Sequence, residues 1–292
     1  MSGDGIALRC KLPDDDFEAA WASIRVPSGV KERLLSQALL SLTVRQKLPF
    51  ETAPLHGLVL MVGEPGTGKT TLARGLAHQV ARRILRTKTT FLQIDPHALA
   101  GAALSSSQKA VTKLFEQTLP EAAMGGIAVV LLDELETLAP ARHRLSFEAN
   151  PVDVHRATDA VLTGMDNLTR EHKNVLIIGT SNFPKALDTA VISRADLIED
   201  IGLPNEEARR DIVIDTLRGI AQVWHAVGRL EDDAGKIAKV AAGLDGRAIR
   251  KAIFAGAAAD VETAQNLDRL TRTQIEAALR QALEARQKAA GG

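Results

Sequence analysis

Short apolar runs punctuate the first two thirds of the chain, and between them apolar residues recur every three or four positions. The runs at 58–62, 90–94, 127–132 and 175–180, with a weaker one at 197–203, are bounded by turns or polar residues and predict buried strands. A helical period follows the first run: Leu72, Leu76, Val80 and Ile84 are spaced four apart, with Ala73, Ala77 and Ala81 beside them as strong helix formers. Alternation of strand and helix predicts an α/β fold, a five-stranded parallel sheet flanked by helices, with ligands bound outside the carboxyl ends of the strands. After Pro204 only helical spacing remains, opened by Asn205-Glu206-Glu207 as cap and acidic first turn and anchored by Leu217, Ile220, Val240, Ile249 and Ile253. Three segments are expected: a flexible N-terminal arm over 1–16, ending in Asp14-Asp15-Asp16; a large α/β domain over 17–203; and a small all-α lid domain over 204–292.

Composition narrows the setting. The 292 residues are 45% apolar, enough for a substantial core, and carry 36 basic against 36 acidic side chains, so no global field recruits nucleic acid or an anionic membrane. The single cysteine, Cys10, has no intramolecular disulfide partner, and neither a membrane-spanning run nor a leader segment is expected from the apolar pattern. A cytoplasmic protein is expected.

The chemistry begins at the end of the first run. Gly63-Glu64-Pro65-Gly66-Thr67-Gly68-Lys69-Thr70-Thr71 stands between strand and helix, the context of a phosphate-binding loop. Its glycines permit a tight turn whose backbone N–H groups converge on phosphate oxygens, and the helix that follows presents its positive dipole end to the same anion. Lys69 is expected to reach the β- and γ-phosphates of ATP, and Thr70 to ligate Mg2+.

The run 127–132 ends in Asp133-Glu134, two carboxylates at a strand tip. Asp133 is expected to complete the Mg2+ shell beside Thr70, and Glu134 to accept a proton from the attacking water. The next strand ends in Ser181-Asn182. An Asn there either supports the turn before Phe183-Pro184 or bridges the γ-phosphate and the lytic water; its place relative to Glu134 favours the second role, since an amide donates and accepts without adding negative charge. Arg194, before the last strand, and Arg247, at the start of a helix after Asp245-Gly246, are each either surface salt-bridge partners or phosphate contacts, Arg194 from a neighbouring subunit.

Together these motifs resemble the Walker A, Walker B, sensor 1, arginine finger and sensor 2 of an AAA+ P-loop NTPase, over about residues 20–285. Leu132-Asp-Glu-Leu-Glu-Thr-Leu138, Ala141-Arg142, Ala160-Val-Leu-Thr-Gly-Met-Asp166, Ser193 to Gly202 and Asp245-Gly-Arg-Ala-Ile-Arg250 resemble the pachytene-checkpoint branch, in a compact bacterial form. That resemblance implies a homohexamer that hydrolyses ATP to open closed HORMA-domain proteins and disassemble their complexes. In bacterial members it implies a HORMA protein encoded with a cyclic-oligonucleotide synthase, and restraint of an anti-phage signal. The family places a substrate-gripping pore loop after the second strand, which here corresponds to Gly101, Ala102, Ala103 and Leu104, small groups where relatives carry aromatics. The alternatives are a remodeller of another protein or of a nucleic-acid-associated substrate, or a nucleotide-gated scaffold with little turnover. Arg82, Arg83, Arg86 and Lys88 are the best support for a nucleic-acid partner, but cations at a helix end are ordinarily solvated and favoured by the dipole, so neither nucleic acid nor membrane is an expected partner. His97, His143, His155 and His172 lack metal-ligand spacing and are given no role.

Overall fold

In a computed structural model, residues 5–84, 87–100, 106–141 and 151–290 are described. In chain order the elements are β1 (Ile6–Leu12), α1 (Asp15–Ser23), α2 (Val30–Lys47), β2 (Leu58–Val62), α3 (Lys69–Arg83), β3 (Lys88–Ile94), α4 (Pro96–Ala100), α5 (Ser106–Lys113), a π-helical turn (Leu114–Thr118) and α6 (Leu119–Ala122). There follow β4 (Gly126–Leu132), α7 (Pro151–Glu171), β5 (Val175–Ser181), α8 (Thr189–Ile192), β6 (Leu197–Asp200), α9 (Glu206–Ala221), α10 (Ala234–Val240), α11 (Gly246–Ala257), α12 (Val261–Gln265) and α13 (Arg272–Ala290). They form two compact units, one of Met1–Ile24, Gly29–Gly63 and Lys69–Ile201, the other of Arg25–Ser28, Glu64–Gly68 and Gly202–Gly292.

The first unit is built on a six-stranded sheet in the order β1-β3-β4-β5-β2-β6. All five strands read from the sequence are present and pair in parallel, while β1 pairs antiparallel with β3 over Ile6 to Leu12. The sheet is therefore mixed, with six strands, and Ile6–Leu12, expected to lie in a flexible arm, forms one of them. Its signal is a period of two: Ile6, Leu8, Cys10 and Leu12 lie on the more covered side, while Ala7, Arg9 and Lys11 are exposed. One solvated face is what an antiparallel edge strand carries, and the interleaved cations are what make the segment resemble an arm in sequence.

β2 and β5 are buried at every residue, and β4 at all but its first, because helices cover both faces of the sheet. Leu58, Leu60, Leu92, Val130, Leu132 and Ile177 pack with Val111, Phe115, Leu119, Val161, Met165 and Leu168 of the α5–α7 side. The alternate side chains Val59, Met61, Phe91, Val129, Leu131 and Ile178 are equally buried, toward α2 and α3 with Leu34, Leu42, Leu72, Leu76 and Val80. α3 approaches α1 closely at Gly75, where an added Cβ would stand 2.7 Å from the Trp21 Cα. Because the obstacle is backbone, it cannot rotate aside. Gly75→Val is expected to destabilise the first unit by about 1–3 kcal/mol through overpacking, and so to lower the midpoint of thermal unfolding by on the order of 5 °C. An unchanged melting curve would show that α1 is not seated on α3.

The second unit is helical after Gly202, with a core of Val213, Leu217, Ile237, Leu244, Ile249, Ile253, Leu270, Ile275 and Leu279. Asn205 caps α9 through Ala208 N, as its sequence pattern predicts, and Asp245 caps α11 by accepting from Arg247 N and Ala248 N. No helix among the described residues is long and apolar enough to cross a membrane.

Candidate functional site

Strand register decides which side chains meet. β4 and β5 pair with Leu132 opposite Gly179, and β2 and β5 pair with Val62 opposite Ser181, so β2, β4 and β5 end at the same edge. From that edge leave the loop beginning at Gly63, the Asp133-Glu134 pair and Asn182.

The loop has the backbone that its glycines predict. Gly63, Gly66 and Gly68 have φ of 142°, 86° and 93°, a conformation that side chains other than glycine rarely adopt. Gly63 also lies where a Cβ would come 2.4 Å from the Ile201 carbonyl oxygen. Lys69 opens α3 with its side chain buried, and its ammonium donates to the Gly63 carbonyl at 2.8 Å. Burial pushes its pKa below the ordinary lysine value, opposed by the charges of Glu136, Asp133 and Glu134. The loop thus gathers backbone donors and a desolvated cation at the start of a 15-residue helix, a fit for phosphate oxygens.

Thr70 Oγ1 donates to Asp133, at 2.9 Å from Oδ1 and 3.1 Å from Oδ2. A hydroxyl and a carboxylate side by side at a phosphate loop suit a hard cation that retains waters and phosphate ligands, which is how Mg2+ is bound in such sites. Among the described residues no group of three or more His, Cys, Asp or Glu forms an all-protein metal cage. Thr180 completes the arrangement, donating to Asp133 Oδ1 at 2.5 Å and accepting from Glu134 N at 3.0 Å.

Glu134 has φ 50°, the one described non-glycine residue with positive φ. A left-handed conformation costs a side-chain-bearing residue about 1–3 kcal/mol and is retained where the surroundings over-determine it. The turn lets Leu135 re-enter the core, fully buried, while the carboxylate of Glu134 stays partly open to solvent. Asn182 Nδ2 donates to Glu134 Oε1 at 3.0 Å, and His97 Nε2 lies 3.2 Å from Glu134 Oε2. Asn182 is itself held by its backbone N–H, which donates to Glu136 Oε1 at 2.9 Å.

Similarity to known proteins agrees with this geometry. The model of the ATPase family associated with various cellular activities (AAA) matches residues 59–203. The CD-NTase-associated protein 6 of Pseudomonas aeruginosa is 45% identical over 284 residues, covering 97% of this chain and 93% of the relative. The putative pachytene checkpoint protein 2 of Caenorhabditis elegans is 31% identical over 264 residues, covering 82% of this chain and 62% of its own length. This chain belongs to the AAA ATPase family, in its pachytene-checkpoint branch. The solved C. elegans PCH-2 structure superposes with a TM-score of 0.75 at 27% identity, over 96% of this chain and 75% of that one. A chain of the Escherichia coli MS115-1 HORMA:CdnC:Trip13 complex shares the fold, with a TM-score of 0.74 at 20% identity and 96% coverage of each chain.

Two further AAA-motif candidates are Arg194, in the first unit, and Arg247, in the second. Arg194 makes a bidentate pair with Asp166 of α7, Nε to Oδ1 at 2.7 Å and Nη2 to Oδ2 at 2.8 Å, and its Nη1 donates to the Ala190 carbonyl. The bond to Arg194 holds the Asp166 carboxyl below its usual range, and Asp166 raises the guanidinium in turn. With a lowered carboxylate pKa, the contribution of the pair is present above the ordinary Asp range and is lost only as pH falls through the lowered value. Arg247 stands in the first turn of α11 in the second unit, its N–H bonded to Asp245. The pore-loop candidates Gly101, Ala102, Ala103 and Leu104 lie outside the described residues, as do Arg86, Arg142 and His143.

Glu136, Thr180, Asp166 and His97 are the participants that sequence reasoning missed. Glu136 and Thr180 each lie two residues from a recognised one, in Asp133-Glu-Leu-Glu136 and Thr180-Ser-Asn182. At the end of β5 side chains two apart share a side, so that spacing was an available signal for Thr180, whereas Glu136 lies in a 3-10 turn, Leu135–Thr137, to which the strand period does not apply. Nothing in sequence announces that Asp166 and His97 are partners of Arg194 and Glu134, 28 and 37 residues away.

Proposed function

We propose that this chain hydrolyses ATP to drive the opening of closed HORMA-domain proteins, disassembling their complexes as a homohexamer. The observation that carries the enzymatic part is the hydrogen-bonded series Thr70–Asp133–Thr180 beside Asn182–Glu134, at the strand edge from which the glycine loop departs. Gly63 to Thr71 bind the triphosphate, with Lys69 on the β- and γ-phosphates and Arg247 a further contact. Thr70 and Asp133 would hold Mg2+, which when bound would offset phosphate charge. Glu134 takes a proton from water as the water oxygen bonds to the γ-phosphorus; the bond from that phosphorus to the β–γ bridging oxygen breaks, and ADP and phosphate leave. Asn182 orients both the carboxylate and the water. Arg194 of a neighbouring subunit meets the charge that develops on the γ-phosphoryl group. Gly101 to Leu104 contact the substrate polypeptide, with less area than aromatic groups would offer.

The substrate assignment is supported by the 31%-identical pachytene checkpoint protein and by the name of the 45%-identical CD-NTase-associated protein. The shared fold with a chain solved together with HORMA and CdnC proteins is consistent with it. On this reading the protein acts in the cytoplasm beside a HORMA protein and a cyclic-oligonucleotide synthase, and lowers an anti-phage signal. The nucleic-acid alternative gains no observation: Arg82 is paired with Glu18 at 3.0 Å and Arg83 with Gln79.

Lys69→Ala removes the cation aimed at the phosphates and is expected to weaken ATP binding by about 10- to 150-fold, read by titration with a fluorescent ATP analogue, given that charge-assisted bonds in a desolvated site are worth roughly 1.5–3 kcal/mol. Near-native affinity would refute the loop assignment. For the substrate, a tagged Glu134→Gln chain held in ATP is expected to retain a HORMA-domain protein from native lysate. Retention of a different protein, or of DNA, leaves the ATPase assignment standing and removes the substrate claim.

A further inference from the structure

We infer that His97 is a positioning residue for hydrolysis, holding the second oxygen of the Glu134 carboxylate while Asn182 holds the first. The inference rests on Glu134 being the base proposed above.

A carboxylate on two methylenes samples several rotamers, and one attached to a strained left-handed backbone gains no local support from a helix or strand ladder. Here its two oxygens are engaged from opposite elements. Asn182, one residue past β5, donates from Nδ2 to Oε1 at 3.0 Å; His97, at the second position of α4, faces Oε2 at 3.2 Å through Nε2. Two contacts on separate oxygens fix both the direction of the carboxylate and the rotation of its plane, and one lone pair on each oxygen is left to accept from water. Neither contact alone sets both angles.

His97 is itself held from its backbone. Asp95 Oδ1 accepts from His97 N at 2.9 Å and from Ala98 N at 3.3 Å, and Asp95 N donates to the Gly5 carbonyl of the segment leading into β1 at 2.8 Å. Ile94, the residue before, ends β3 fully buried and pairs with Leu132, which directly precedes Asp133-Glu134. The imidazole thus projects from the end of the strand next to the one carrying the carboxylate, and the register between them determines their meeting. The ring is largely solvent-exposed apart from this contact, so a packing role would not explain its orientation. Orientation of a general base affects turnover, since misplacing a catalytic group by about 1 Å costs on the order of 100-fold, while the phosphate-binding loop that governs ATP affinity is untouched.

Steady-state ATPase measurements on the full chain test this, with His97→Leu, His97→Gln and Glu134→Gln assayed beside the native protein. Gln is the informative replacement because its amide nitrogen reaches about as far as Nε2 and can donate, whereas Leu fills similar space and cannot. We expect His97→Leu to lower kcat by about tenfold or more with KM for ATP unchanged within twofold, and His97→Gln to recover kcat to within about threefold of native. Native kcat in His97→Leu, equal losses in the Leu and Gln variants, or a change confined to KM would each overturn the role. If instead Glu134→Gln turns over normally, the assignment of the base fails first; an inactive Glu134→Gln with a fully active His97→Leu removes His97 alone.

Discussion

Glu134→Gln is expected to bind ATP with near-native affinity and to lose about 10²- to 10⁴-fold in kcat, the range contributed by a positioned general base. The substitution is nearly isosteric. The Asn182 amide that donates to Oε1 at 3.0 Å keeps an acceptor if the new amide presents its oxygen there, so the strand edge need not rearrange. What disappears is the capacity to take up a proton, because an amide oxygen is not protonated near neutral pH. On the proposed assignment ATP affinity is set elsewhere, by the Gly63–Thr70 backbone, with its positive-φ glycines, and the buried Lys69. The expected signature is therefore a separation: unchanged nucleotide binding by titration, with single-turnover hydrolysis slowed by the same factor as steady-state turnover. Ordinary turnover in this variant would contradict the role of Glu134, and loss of binding would show that the side chain supports the loop rather than the chemistry.

Arg194→Ala is expected to leave ATP binding within about threefold of native while reducing turnover by 10³-fold or more, as removal of an arginine finger does. That corresponds to about 4 kcal/mol of barrier at the tenfold-per-1.36 kcal/mol conversion. Within a single chain Arg194 is bonded to Asp166 and the Ala190 carbonyl, and among the described residues these bonds do not link it to the loop or to Glu134. A role in trans makes a sharper demand. Lys69→Ala subunits carry an intact Arg194 and an empty nucleotide loop, whereas Arg194→Ala subunits carry an intact loop and no finger. Mixing the two inactive variants under conditions of subunit exchange should restore a measurable fraction of native turnover. No recovery on mixing, together with activity of Arg194→Ala at high dilution, would assign Arg194 to a structural pair with Asp166 and nothing more.

The contrast between these two residues shows what could be read in advance. Gly63 to Thr70 was legible because the constraint is local: glycines at φ of 142°, 86° and 93° and a helix that starts at Lys69 are properties of a short contiguous segment. Buried parallel strands were legible for the same reason, since a strand covered on both faces must be apolar throughout, and 58–62 was located to the residue. β1 was not, because an edge strand with one wet face carries Arg9 and Lys11 and looks like solvated chain until β3 is placed beside it.

Residue type along the chain specified the strand-loop-helix turn at Gly63 to Lys69, the Asp133-Glu134 strand end, the alternation of a sheet covered by helices, and a helical C-terminal segment opened by Asn205 as its cap. Each follows from residue type at fixed spacing, and propensity, burial period and capping act over a few residues. Only the tertiary structure decided that Thr180 bonds Asp133, that Glu136 holds Asn182, that Asp166 pairs with Arg194 and that His97 faces Glu134. Those contacts join positions 28 to 47 residues apart. They are set by strand order and by register, where a one-residue slip between β4 and β5 would turn the same side chains to opposite faces. Register is a property of paired strands, so no single segment of the chain contains it.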